Sequence, residues 1–177
     1  SIVGAAAPAL RKNIEVFNIY ATEGIRLAGN VTYYRDERPV DDVSVFWKEK
    51  AAFVDTTTAE GRFAYDGFPA NGNITIRLKK APEPPSEQAV LSYDAALAAR
   101  HAVGAELLEP GAARAADVDN SGSVTLIDAA RIARYCAGIE DSDHSGTGKW
   151  EFEPDSGVFA GHSGSREDIL FSSVLKG

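Results

Sequence analysis

The chain has 177 residues, 44% of them hydrophobic and 25% charged, a composition that suits one large or two small globular domains and excludes a disordered tail. No apolar run approaches the roughly 20 residues that cross a bilayer, and the Ala-rich start, residues 1–10, is broken by Pro8 and lacks a basic flank, so no membrane span is predicted. Residues 1–80 carry 11 Lys+Arg against 10 Asp+Glu and residues 81–177 carry 7 against 16, so the net charge of −8 divides into +1 and −9, and the acidic half argues against nucleic acid as a partner.

A single cysteine, Cys136, excludes an intramolecular disulfide framework and a Cys-rich zinc site, and three scattered histidines offer little to a transition metal. Any bound metal is therefore expected to be a hard one. With no methionine even at position 1, the sequence reads as a chain trimmed by a protease or excised from something longer.

In chain order, residues 1–21 form an N-terminal arm, small and apolar at first and then strand-like over residues 14–20. Donated to the sheet of the next subunit, such an arm would link copies by main-chain hydrogen bonds; otherwise it is an edge strand of its own domain. Residues 22–80 read as short strands at 29–34, 43–47, 53–58, 62–65 and 73–78, rich in β-branched and aromatic residues and alternating apolar with polar. Turns fall between them at residues 36–39, 59–61 and 69–72, each holding Gly or Pro, and strands this closely spaced imply a β-sandwich. The run Leu27-Ala28-Gly29-Asn30-Val31-Thr32, then Arg38-Pro39-Val40-Asp41-Asp42-Val43, then Glu60-Gly61-Arg62-Phe63-Ala64-Tyr65 and Phe68-Pro69-Ala70, resembles the carboxypeptidase regulatory-like, prealbumin-type sandwich modules. That resemblance implies a fold and a spacer or adhesion role, with no activity. The sequons at Asn30 and Asn73 are consistent with an exported protein.

A Pro-rich stretch, Ala81-Pro82-Glu83-Pro84-Pro85, marks a boundary, and residues 81–140 are predicted to be helical and repeated. Residues 92–104 match residues 126–138 at an offset of 34, with the Asp, three Ala, an Arg and the closing Gly identical. The Gly at the end of each copy signals a helix C-terminus.

Directly before the second helix stands Asp117-Val118-Asp119-Asn120-Ser121-Gly122-Ser123-Val124-Thr125-Leu126-Ile127-Asp128. Asp117, Asp119, Ser121, Thr125 and Asp128 fall at positions 1, 3, 5, 9 and 12 of an EF-hand calcium loop, Gly122 at 6, and Ser123 supplies a main-chain carbonyl at 7. The chemistry explains the spacing: Ca2+ needs six to eight oxygens, which alternate residues of a tight loop can aim at one point. These six residues are the main predicted metal ligands, with Val124 packing beneath the loop.

The loop and following helix, repeated and without a convincing helix before the loop, resemble dockerin domains over about residues 82–140. The resemblance implies calcium binding and attachment of an extracellular protein to a cohesin-like partner. In the first copy the helix half survives and the loop half does not, leaving Glu83, Glu87 and Asp94 as a degenerate candidate site. In the remainder, residues 141–177, Asp141, Asp143 and Ser145 repeat part of the calcium pattern as a third, weak candidate, more simply read as a solvated turn. The strand-like tail after it is expected to add a strand to the sandwich or to a neighbouring chain.

The expected fold class is thus mixed: an N-terminal all-β sandwich, then an α-helical dockerin-like module with a β-like tail. No catalytic set emerges; an enzyme would need Asp141, Asp143, Glu151 and His162 gathered in one cleft. The sequence is read as a non-catalytic, secreted, calcium-binding structural protein, self-assembling into a surface filament or sheath. The alternative is an anchoring fragment of a larger surface protein that docks to a cohesin-like module.

Overall fold

The computed structural model describes residues 24–161 and 164–177. The predicted arm strand at residues 14–20 and His162 lie outside the described residues. Among the described residues the strands are β1 (Ile25–Tyr33), β2 (Ser44–Trp47), β3 (Ala52–Thr56), β4 (Arg62–Phe68), β5 (Asn73–Lys79), β6 (Trp150–Glu153), β7 (Ser156–Ala160) and β8 (Arg166–Leu175). The four helices α1 (Ser92–Ala102), α2 (Pro110–Ala116), α3 (Leu126–Cys136) and α4 (Ser142–Ser145) all lie between β5 and β6. Among the described residues, no helix is long and apolar enough to cross a membrane.

The strands form two four-stranded sheets, ordered β4-β1-β8-β6 and β3-β2-β5-β7. Every pair is antiparallel except β1 with β8, which run parallel from Leu27 opposite Arg166 to Tyr33 opposite Ser173. Alternation along β1 turns Ile25, Leu27 and Val31 into the core, where Phe63 and Phe68 of β4, Ile74 and Ile76 of β5, Phe159 of β7 and Phe171 of β8 meet them. At Gly29 the β8 backbone comes so close that a Cβ would lie 2.2 Å from the Ile169 carbonyl oxygen, so only glycine fits that pairing.

This overturns the expectation of a sandwich followed by a helical dockerin-like module with a β-like tail. The protein is mostly β, and the tail supplies one edge strand to each sheet, β6 to the first and β7 to the second, and one strand, β8, to the middle of the first sheet. The physical reason lies in the apolar faces of the first five strands. β4 and β1 alone bury little, and a parallel partner for β1 can arrive only after a long crossover, which the helical residues provide.

The helices have a smaller core of their own, in which Val90, Ala98, Ala116, Val118, Ile132 and Tyr135 are buried and Val124 and Leu175 are packed against them. Helices α1 and α3 occupy the two copies of the repeat in the same register and end alike. Ala105 N–H bonds the Arg100 carbonyl at 2.8 Å and Ile139 N–H the Arg134 carbonyl at 2.9 Å. The likeness extends past the sequence match, because Arg100 pairs with Glu106 at 3.2 Å and Arg134 with Glu140 at 2.5 Å, again 34 residues apart.

On the outer side of the second sheet, the Glu49 carboxylate accepts hydrogen bonds from the Thr75 hydroxyl at 2.6 Å and the Thr75 N–H at 2.9 Å, and these hold its pKa below the ordinary 4.5. A carboxylate with a lowered folded-state pKa adds stability above its unfolded pKa, and that contribution fades as pH falls through the folded value. Glu49→Gln is therefore expected to flatten the loss of stability on acidification below the ordinary Glu pKa, read from denaturant midpoints at a series of pH values. A chain ending at Gly148, which lacks β6 to β8, is expected to lose the cooperative unfolding transition of the sandwich reported by Trp47 fluorescence.

Candidate metal centre

The predicted loop begins where α2 ends. Asp117 is the C-terminal cap residue of that helix, whose Pro110 sits in its first turn, so a two-turn helix enters the loop where the sequence suggested none. Pro is favoured at that position because its missing N–H would be unbonded there in any case. Gly122 adopts φ 89°, the left-handed backbone that the sharp turn at position 6 demands. Thr125 then caps α3, its side chain accepting from Ile127 N–H at 3.2 Å.

Three carboxylates converge. Asp117, Asp119 and Asp128 each place one oxygen within 4.8 Å of the others, and they are the one group of three or more His, Cys, Asp or Glu among the described residues arranged to hold a metal ion. Asp128 has no exposed surface and Asp117 is 9% exposed. Unit charges at that separation repel by on the order of 3 kcal/mol at an effective dielectric of about 20. Hydrogen bonds offset part of this: Asp117 accepts from Gly122 N–H at 2.8 Å and Ser121 N–H at 3.0 Å, and Asp119 from Ser121 N–H at 3.1 Å. Asp128 accepts from Val118 N–H at 3.1 Å and, through its other oxygen, from the N–H and hydroxyl of Thr125, both at 2.8 Å. The Ser121 hydroxyl points at the Ser123 carbonyl, 3.1 Å away. Arg131 faces the group, 3.7 Å from Asp119, and hydrogen bonding from Ser121 together with that charge holds the Asp119 carboxyl below its ordinary value.

No family model matches the chain, and neither a curated protein nor a solved structure is similar to it. The reading of the site therefore rests on its own geometry.

Of the six main ligands predicted from sequence, the structure brings the three carboxylates to one point, with Ser121, Ser123 and Thr125 in the same loop. The other candidate sets are not among converging groups. Asp94 bonds the Leu91 N–H at 2.7 Å and caps α1, the job Asp128 does for α3. Glu83 accepts from the Trp150 indole at 3.0 Å and lines a cleft of about 530 Å³ with Glu87. Asp141 caps α4, accepting from Asp143 and His144 N–H, both at 3.1 Å. Asp143 pairs with Lys149 at 3.5 Å, and Ser145 is buried with its hydroxyl on the Asp141 carbonyl at 2.8 Å. The third acidic stretch is thus a single helical turn.

Four residues around the loop had no signal in the sequence. Besides Arg131 these are Asn120, Glu151 and Lys176. The Asn120 amide donates to Glu151 at 2.9 Å, and the Lys176 ammonium, almost wholly buried, donates to the carbonyls of Arg114 at 2.7 Å and Asp117 at 2.8 Å. Glu151 stands 3.3 Å from that ammonium and supplies its counter-charge. Glu151 lies in β6 and Lys176 just past β8, distances in sequence that no local pattern reveals.

Asp128 works without any ion, since its removal would orphan the Val118 and Thr125 N–H groups. Asp128→Ala is expected to lower stability by about 1–3 kcal/mol even in chelator, checked by urea denaturation followed at 222 nm.

Proposed function

We propose that the chain is a non-catalytic, extracellular structural protein that binds one Ca2+ in the loop from Asp117 to Asp128, and that it serves as the subunit of a calcium-stabilised surface filament or sheath with strand exchange between copies. The observation that carries the reading is the convergence of three carboxylates, one of them fully buried, in a loop with calcium spacing. Three clustered anions, with Arg131 beside them, form a site that a hard divalent cation would neutralise. Asp117, Asp119 and Asp128 would supply carboxylate oxygens, Ser121 and Thr125 hydroxyls or bridged water, and Ser123 its carbonyl. With only three carboxylates in the set, the affinity fits the range of extracellular modules, roughly 10⁻⁴–10⁻³ M. The strand exchange draws on the sequence of the N-terminal arm, residues 1–21, outside the described residues.

A second reading is favoured by one observation. Tyr93, Val103, Leu107, Leu126, Ile127 and Ile139, all on the helical insertion, are each more than half exposed. An apolar set of that kind on one part of the molecule suits docking to a protein partner of the cohesin-like type.

Isothermal titration of the full chain with Ca2+ is expected to show one ion per chain, and Asp128→Ala to abolish the heat. Negative-stain microscopy and sizing chromatography in millimolar calcium separate the two readings: long regular particles that dissolve in EGTA support the filament, and compact monomers in both conditions overturn it in favour of the docking reading.

A further inference from the structure

The helical insertion could have been a passenger on the sandwich, joined by two connections and free to open alone. Its contacts at the loop say otherwise. Lys176, the residue after β8, sends its ammonium into the C-terminal end of α2, where it bonds the Arg114 and Asp117 carbonyls. Gly177 N–H adds a bond to the Ala115 carbonyl at 2.9 Å. A cation at a helix C-terminus complements the helix dipole, and a buried ammonium persists only when its charge and donors are matched. The match comes from Glu151 of β6, whose carboxylate also accepts the Asn120 amide and has the Arg114 guanidinium 3.6 Å away. The same Asp117 thus presents its carboxylate to the loop centre and its carbonyl to the sandwich.

We infer that Lys176, Glu151 and Asn120 make the loop and the sandwich one cooperative unit, so that an ion bound in the loop stabilises β6 and β8 and with them the whole sandwich. The calcium loop is then a control point for the β-structure as well as for its own helix pair. The inference rests on the calcium reading above and extends it from binding to regulation.

The two tryptophans make the test direct, because Trp47 in β2 and Trp150 in β6 both report the sandwich, whereas ellipticity at 222 nm reports the helices. Urea unfolding of the full chain would be followed by both probes, in EGTA and in calcium at about 100 times the measured Kd. The expected result is coincident transitions in each condition, both shifted equally by calcium, with the folded-to-unfolded ratio raised about 100-fold. Lys176→Met and the milder Glu151→Gln should separate the two transitions, leaving the calcium shift in ellipticity and removing most of it from fluorescence. Glu151→Gln guards against a Lys176→Met chain that fails to fold, because the amide keeps the size of the carboxylate and lies in β6, outside the loop. A wild-type fluorescence transition that ignores calcium while ellipticity shifts overturns the coupling and leaves the calcium site standing, as do variants whose probes stay coincident and fully responsive. No calcium heat and no shift in either probe overturns the calcium reading itself, and this inference with it.

Discussion

The structure depends on the parallel pairing of β1 with β8. Each strand has a partner on its other side, β4 for β1 and β6 for β8, so this pair joins the two halves of the first sheet. It also sets the close backbone approach at Gly29 and carries Ile169 and Phe171 into the core. Beyond Tyr33 and Ser173 the same strand runs on to Leu175, which packs against the helical core, and to Lys176, which enters the end of α2. One strand therefore contributes to both cores and to the site.

Much of the local structure was legible in the sequence, because local structure has local causes. Alternation marked the strands between residues 25 and 79, and the 34-residue offset placed α1 and α3. The calcium-type spacing placed the loop, since each residue in it acts on neighbours no more than about a dozen positions away. What stayed hidden was the arrangement. Residues 150–175 look like strands in their own right, yet nothing in them names β1 as the partner of β8, and a sandwich closed by strands on both sides of a helical insertion reads in sequence like a sandwich with an appendix. Helix α2 escaped because seven residues rich in Ala and Gly carry little periodicity, and its stability comes from Lys176 and from packing, both tertiary.

The first copy of the repeat has the helix without an acidic loop before it. Asp94 caps its helix as Asp128 does, and an Arg–Glu pair follows each helix, but the residues before the first copy reach both parts of the molecule: Glu83 takes the Trp150 indole of β6 on its carboxylate and the Tyr135 hydroxyl of α3 on its carbonyl. Both halves of the pseudo-repeat are thus tied to the strands, the first by way of Glu83 and Trp150 and the second by way of Asn120 and Glu151; the second also gathers the carboxylates.

The place of β8 also sets an order of assembly. A chain made from its N-terminus produces β1 through β5, with Leu27, Phe63, Phe68 and Ile74 ready for a core, long before the strand that completes that core exists. Pairings that span most of a chain close slowly, after the loop entropy between them has been met. On the ribosome, or emerging from any narrow passage in the same direction, this sandwich is incomplete until β8 is free, and in that interval its apolar strands need shelter from one another's copies.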